Sequence, residues 1–442
     1  MKKYTVVLVV ALLLTALPVA VSADVPAPEG PFDTAFRIQN LGSKAANCMF
    51  SFYDANGVEA YSSGALPAIP VGDSAYIYVP GDTTVAEGQY AGVVSCDQEV
   101  AAVVNFSDPD SGASYSGVSE VGGTMYAPGI YDNYYSYYSN VVVQNASGGT
   151  IDITLEIYEP GNTTPVYTNS QTNVPANGFV VFEQEGLTEL ANNHAYSGKI
   201  TGTGDVAAVV NIYGRGSYDD QLYSYNPFPS GSTTAYAPVV MNAYYGYNTA
   251  LVIQNMGTSD ANVTITYSEG TVKTTTIAPG AADSRYTPGE GLATGLLTGA
   301  KVECTNGQQI VVLVNESTDK NRAASYSSFD AGSTTTRSPI VMRRYYKYST
   351  SVTCQNIGTA AATMSISYGG IAGTTTSPAT VPVNGIYMFY QPGDPLLSDN
   401  FIGSATVTSA ENIVCIVNED MNEMPERDQI MDQLFAYNGI GQ

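Results

Sequence analysis

Apolar and polar positions repeat four times along this chain. An alternating apolar stretch ends in Gln-Asn at Gln39-Asn40, Gln144-Asn145, Gln254-Asn255 and Gln355-Asn356. Between 60 and 66 residues after each pair, a continuous apolar run ends in a second Asn. These runs are VAAVVN at Asn105, VAAVVN at Asn211, IVVLVN at Asn315 and IVCIVN at Asn418. Successive Gln-Asn pairs lie 101 to 110 residues apart. That period is too long for a solenoid and matches a small β-domain. The second runs are apolar on both faces, which predicts central strands rather than edges.

Repeat three shows the elements most clearly. NTALVIQNMG alternates and then turns, and ANVTITYSEG places Val263, Ile265 and Tyr267 on one face. TVKTTTIAPGA ends at Pro279-Gly280, and a hairpin follows across Asn306-Gly307, a strong turn dipeptide. About seven strands with a turn signal every 8 to 12 residues predict two packed antiparallel sheets. A proline turn before an aromatic strand recurs in all four repeats (IPVGDSAYIY, VPANGFVVF, APGAADSRY, VPVNGIYMFY), as does a closing Tyr at 115, 225, 326 and 437. The fold class expected is all-β: four tandem immunoglobulin-like antiparallel β-sandwich domains over 24–123, 124–234, 235–335 and 336–442. The linkers SGSTT and AGSTTT are short and run directly into strands, as joints do. Only MPERDQIMDQLF, near the C-terminus, has helical periodicity.

Residues 1–23 read as a secretory leader, with Lys2 and Lys3, an apolar core from Thr5 to Val21, and Val21-Ser22-Ala23 as the cleavage site. No later stretch is long and apolar enough for a transmembrane anchor. The expectation is a secreted, extracellular chain at the cell surface. Net charge is −24, and removal of the leader's two lysines takes it to −26. Such a surface disfavours nucleic acid, which needs clustered Lys and Arg. Charged residues are only 13%, with 34 Tyr and no Trp, so the surface is polar rather than a disordered acidic coil. The five cysteines fit an oxidising compartment. Cys48 with Cys96 and Cys354 with Cys415 are the expected disulfides, each pair inside one repeat, although spacing alone leaves connectivity open. Cys304 is left over, as a buried thiol or an intermolecular bond.

Chemistry is sparse. The lone histidine, His194 in LANNHAYSG, has no G-x-S-x-G partner, and zinc-type Cys/His clusters are missing. No catalytic, cofactor or metal residue is assigned, and the chain is not expected to be an enzyme. Asp108 with Asp110, Asp219-Asp220 and Glu419-Asp420 offer oxygen ligands without the spacing of a calcium loop. Sequons occur at Asn105, Asn145, Asn162, Asn262 and Asn315; three of these coincide with the repeat signatures, which favours a structural reason for the Asn. The sharpest local signal is tyrosine: Tyr134-Tyr135, Tyr244-Tyr245 and Tyr345-Tyr346 each begin six residues after a proline, at 128, 238 and 339. Each proline lies 16 residues before the signature Gln. In repeat one that position is Ala23, and no Tyr pair follows it. Two readings stand: rings packed at joints against the preceding domain, or platforms that stack glycans. The absence of the pair from the repeat that has no predecessor favours the joint.

The serial Pro-x5-Tyr-Tyr, Gln-Asn and Val-Asn signatures resemble the tandem Ig-like repeats of secreted bacterial cell-surface proteins, over the whole mature chain. The resemblance implies a structural or adhesive role at the envelope and no catalytic residues. The expected molecule is a rod-like array, as a subunit of an extracellular filament, sheath or surface layer. Its expected partners are itself, as a homopolymer, or other envelope proteins. The alternative is an adhesin or carbohydrate-binding array that uses exposed Tyr.

Overall fold

The computed structural model describes residues 4–10, 31–118, 121–318, 322–421 and 434–441. Among the described residues every long element is a β-strand, and helix is confined to four single 3-10 turns: Val79–Gly81, Gly216–Tyr218, Thr287–Gly289 and Gln391–Gly393. The helical pattern expected at 424–435 lies outside the described residues over 424–433. Its last two positions, Leu434 and Phe435, begin a strand.

Repeat three is two four-stranded antiparallel sheets. One runs in the order Thr234–Asn242, Leu296–Cys304, Ala261–Tyr267, Val272–Ile277. The other runs Ala282–Tyr286, Tyr247–Asn255, Ile310–Thr318, Ala323–Ser327. Alternation places Val263, Ile265 and Tyr267 in the core while Asn262 stays exposed. The other repeats follow the same plan. The hairpin expected across Asn306-Gly307 is not one: the turn carries the chain from Leu296–Cys304 in one sheet to Ile310–Thr318 in the other, and the two strands do not pair. In repeats two and four the corresponding stretch runs as single 20-residue strands, Ala195–Gly214 and Phe401–Asp420, which serve both sheets.

The Gln-Asn signature is a bracket. Each Asn is fully buried, and its side-chain N–H group donates twice, once to the carbonyl four residues on and once to a carbonyl near the proline turn. For Asn145 these are Gly149 (2.7 Å) and Val174 (2.9 Å); for Asn255 they are Ser259 and Ile277, both at 2.8 Å. Its Oδ1 accepts the N–H two residues on, at Gly42, Ser147, Gly257 and Gly358. The proline turn closes on the same residue: its left-handed position, Gly72, Asn177, Gly280 or Asn384, donates N–H to the Asn carbonyl. A left-handed backbone selects Gly or Asn there, and a buried amide with every bond made is costly to replace.

Each repeat has an opening-strand position at the edge of its first sheet. Gly122–Tyr131, Thr234–Asn242 and Ser333–Arg343 fill it in repeats two, three and four. In repeat one it is filled by Tyr4–Val10, from the stretch expected to be a leader. This strand pairs along Tyr90–Cys96, from Tyr4 opposite Cys96 to Val10 opposite Tyr90. Residues 11–30 lie outside the described residues.

The rod expected from sequence is instead a closed ring. Val103, Val209, Leu313 and Ile416 each stand two residues before a signature Asn. Each packs into the core of the repeat before its own, Val103 into repeat four, Val209 into repeat one, Leu313 into repeat two and Ile416 into repeat three. Burying one such side chain contributes about 1.5–3 kcal/mol. Apolarity on both faces therefore marks a strand shared between two cores, beyond its central place in a sheet. The closing strands Gly112–Ser116, Leu222–Tyr225, Ala323–Ser327 and Leu434–Asn438 meet at the centre, each against its two neighbours. Repeat four meets repeat one through Ser114 Oγ to Ala436 O (2.8 Å), Ser404 Oγ to Gly72 O (2.9 Å) and the buried Arg37 to Gly403 O (3.3 Å). Short linkers permit this because the contacts are between faces, not ends.

Disulfides join Cys48 to Cys96 and Cys354 to Cys415, each between directly opposed cross-strand residues. Cys304 is buried, with Sγ 3.0 Å from Asn306 Oδ1. Val263 lies opposite Cys304, where repeat one has its second cysteine. Burial runs against the intermolecular bond weighed from sequence.

Candidate functional site: the joints and their tyrosine turns

The Tyr pairs sit on tight hairpins. Tyr134 and Tyr137 exchange backbone N–H to carbonyl bonds of 2.9 Å in both directions, and the same exchange links Tyr244 with Tyr247 and Tyr345 with Tyr348. The two central residues are left-handed: Tyr135 and Ser136, Tyr245 and Gly246, Tyr346 and Lys347. This is the turn geometry that favours Asn-Gly. A bulky Tyr at φ of 45–50° is strained. In each pair the second ring stands edge-on to the first, with centroids 4.8–4.9 Å apart.

The sequence expectation was burial of both rings against the preceding domain. The structure divides the pair. Tyr135, Tyr245 and Tyr346, at the tips of the turns, are 66%, 74% and 77% exposed. Tyr134, Tyr244 and Tyr345 are half-buried, and they face the following repeat. Burial, then Tyr135 and then Asp283 of repeat three, pushes the Tyr134 hydroxyl pKa up. Burial, Tyr245 and Tyr390 of repeat four do the same for Tyr244. Around the closure, burial and then Tyr345 raise Tyr76 of repeat one. Repeat one has no Tyr pair in its sequence although repeat four packs against it, so the want of a preceding neighbour is not the reason.

The joint between repeats three and four opens into a cavity of about 310 Å3. Met241, Tyr244 and Tyr245 line it from one side, Met388 and Tyr390 from the other, and Glu316 also lines it. Burial pushes Glu316 up to about 8, against the Asn418 amide that donates to it at 2.6 Å. Asp420 is ion-paired with Arg322 and accepts the Tyr247 hydroxyl at 3.0 Å. At the closure joint Glu419 is held likewise: burial raises it to about 8, opposed by the Asn105 amide at 2.9 Å. Thus Asn105 and Asn418, at the second signature, reach the carboxyl that follows the same signature in the preceding repeat. Repeats one and two carry Phe106 and Ile212 at that carboxyl position.

Sequence reasoning missed Glu316, Arg37 and the sharing of the four apolar residues, and it weighed Glu419 only as an oxygen ligand for calcium. The signal present was a carboxylate or guanidinium set into an otherwise apolar strand. His194 pairs with Glu159 at 3.0 Å on the surface. The acidic pairs weighed as calcium ligands are used otherwise. Glu419 and Asp420 are buried in joints, and Asp108 accepts turn N–H bonds from Asp110 and Ser111. Burial, then Asp219, Asp110 and Asp108, raises Asp220 to about 6. Among the described residues no group of three or more His, Cys, Asp or Glu is placed to hold a metal ion. Nor is any helix among them long and apolar enough to cross a membrane.

No family model and no curated protein matches the chain. Among solved structures, the FN1-FN3 domains of chicken CNTN1 align at 11% identity over 67% of this chain and 98% of that one, with a TM-score of 0.11. A superposition that poor carries no argument.

Proposed function

We propose that this chain is an exported structural subunit of the cell surface: four immunoglobulin-like sandwiches closed into a rigid block that assembles with other copies into a filament, sheath or layer. The observation that supports this most directly is the shared core. Each repeat lends an apolar strand face to its neighbour, so the four cannot move independently. The two disulfides fit an oxidising, extracellular setting. Electron microscopy of the purified mature chain tests the reading: ordered filaments or sheets are expected, and monodisperse single rings with no assembly would count against it.

A second reading, glycan binding, is favoured by one observation. Tyr135, Tyr245 and Tyr346 retain strained backbone at exposed tips where Asn or Gly would be more comfortable. Stacking on a sugar would explain the retention. Under this reading Tyr245→Asn removes affinity on a glycan array while raising stability by up to about 1 kcal/mol through relief of strain.

A further inference from the structure

Repeat one is the odd member, because the strand in its opening position does not come from its own register. Counted back from the signature Gln, the opening strand starts 22, 20 and 22 residues upstream in repeats two, three and four and ends 13, 12 and 12 residues upstream. The same interval before Gln39 covers residues 17–27. Removal of 1–23 would leave only Asp24 to Ala27 of it.

Two buried hydroxyls record what is missing. The closing tyrosines of repeats two to four donate to an opening-strand carbonyl: Tyr225 to Pro128 (2.5 Å), Tyr326 to Val239 (2.6 Å) and Tyr437 to Ile340. Three residues beyond each opening-strand proline, an N–H donates to a hydroxyl on the Gln-Asn strand: Tyr131 to Ser139, Met241 to Thr249 and Met342 to Thr350, at 2.9–3.0 Å. The counterparts in repeat one are Tyr115 and Thr34. They are 3% and 0% exposed, and neither hydroxyl has a hydrogen-bond partner. Tyr4–Val10 pairs in unbroken register, whereas its three siblings shift register at the proline.

A strand that would offer the Tyr115 hydroxyl its carbonyl is in the sequence. At Thr34 the residue three beyond Pro28 is Pro31, which has no N–H and offers only its carbonyl to the hydroxyl, as Tyr131 and Met342 also do to Ser139 and Thr350. Val25-Pro26-Ala27-Pro28 matches Met125-Tyr126-Ala127-Pro128 and Ala235-Tyr236-Ala237-Pro238. Pro26 suits its place: the N–H of Tyr126 and of Tyr236 points away from the receiving strand, to Phe228 O (2.8 Å) and Phe329 O (2.7 Å). A proline there forfeits no bond to the receiving strand, and edge strands tolerate it. But Pro28 precedes Gln39 by 11 residues, where the other three repeats have 16. The shortfall is the tyrosine turn that folds the opening strand back on its own repeat. A segment that matches the slot but lacks the return turn is suited to exchange between copies.

Resting on the reading of an exported, leader-cleaved subunit, we infer that the mature chain assembles by strand exchange: residues 24–31 of one copy fill the opening slot of repeat one in a second copy. Cys96 corresponds to Cys304, so the sibling register sets Asp24 opposite Ser95, Val25 opposite Val94, Pro26 opposite Val93 and Ala27 opposite Gly92. The added strand donates backbone bonds to an open edge and side chains to an unfinished core. In the precursor, Tyr4–Val10 holds the slot closed, so cleavage would open it.

The test uses mature chains beginning at Asp24, with Pro26→Cys in one and Val93→Cys in the other, mixed under mild oxidation. Both substitutions fall on the outer face, and Val93 is only half-buried. A disulfide-linked heterodimer is expected, with a ladder from the double variant. Sedimentation of the unmodified mature chain should show concentration-dependent oligomers that disappear when 24–31 are deleted. A cross-link formed only within single chains, or oligomers that persist without 24–31, would overturn strand exchange. N-terminal sequencing separates the two failures. A retained leader sinks the export reading and the exchange together, whereas a cleaved, exported chain that stays monomeric sinks the exchange alone.

Discussion

In repeat three, the edge along Leu296–Cys304 is completed by Thr234–Asn242, and the chain returns through the Tyr244–Tyr247 turn into the Gln-Asn strand. In repeat one, the matching edge along Tyr90–Cys96 is completed by Tyr4–Val10, and no tyrosine turn lies before Gln39. The bracket at Asn40 and Asn255, the closing Tyr and the strand order are otherwise the same. The difference teaches that a sandwich of this type carries most of its identity in seven strands, while the eighth is a removable part. A removable edge strand is an interaction site, because the open edge presents unpaired backbone groups beside an unfinished core.

The largest test of that contrast is a charge in the eighth strand. Ala237 is fully buried, so Ala237→Asp should destabilise repeat three by about 3–5 kcal/mol or unfold it. Ala27→Asp in the mature chain should leave the calorimetric melting of the monomer unchanged and abolish assembly. Equal loss of stability in both would erase the distinction.

The second test uses acidity. Glu316 follows the signature in repeat three where repeat one has Phe106. Glu316 and Glu419 have folded pKa values raised to about 8, well above the ordinary carboxylate value. A raised folded pKa means the native state holds the proton more tightly. The stabilisation is complete below the unfolded pKa and is lost as pH rises through about 8. Denaturant midpoints should fall between about pH 5 and about pH 9, by up to about 1.4 kcal/mol per pH unit for each carboxyl. Glu316→Gln with Glu419→Gln should flatten the profile, because the amide keeps a neutral hydrogen-bonding group in place. A profile that keeps its slope in the double variant would place the titration elsewhere.

A smaller effect is expected from making repeat three resemble repeat one. Val263→Cys should pair with Cys304 as Cys48 pairs with Cys96, adding about 2–4 kcal/mol. Loss of the single free thiol by titration, with a higher melting temperature, checks it.

The smallest test compares two closing tyrosines. Tyr326→Phe removes the bond to Val239 O and the acceptor for the Val239 N–H at 3.0 Å, and should cost about 1–2 kcal/mol. Tyr115→Phe deletes a hydroxyl without a partner, so the isolated monomer should change by no more than about 0.5 kcal/mol. In assembled material the same change should become destabilising. A monomer that loses as much from Tyr115→Phe as from Tyr326→Phe would show that the slot is already satisfied.

Much of this protein is written locally. Alternation, the Asn306-Gly307 turn, the proline turns and the fourfold spacing of Gln-Asn and Val-Asn determine an all-β chain built in repeats, because strand patterning and turn chemistry depend on residues a few positions apart. The strand placement of Cys354 and Cys415 was legible for the same reason: both lie on signature strands. The sequence also held, without explaining it, the second apolar face of the Val-Asn runs. Only the tertiary structure decided that this face belongs to the neighbouring repeat, that four repeats close into a ring instead of a rod, and that the paired tyrosines divide into a half-buried ring and an exposed one. Those outcomes depend on which surfaces meet across about a hundred residues of chain, and no local periodicity encodes a partner. The orphan hydroxyls of Thr34 and Tyr115 are the clearest case. Each is an ordinary residue in sequence, and only comparison with the bonded tyrosines of the other three repeats shows what it lacks.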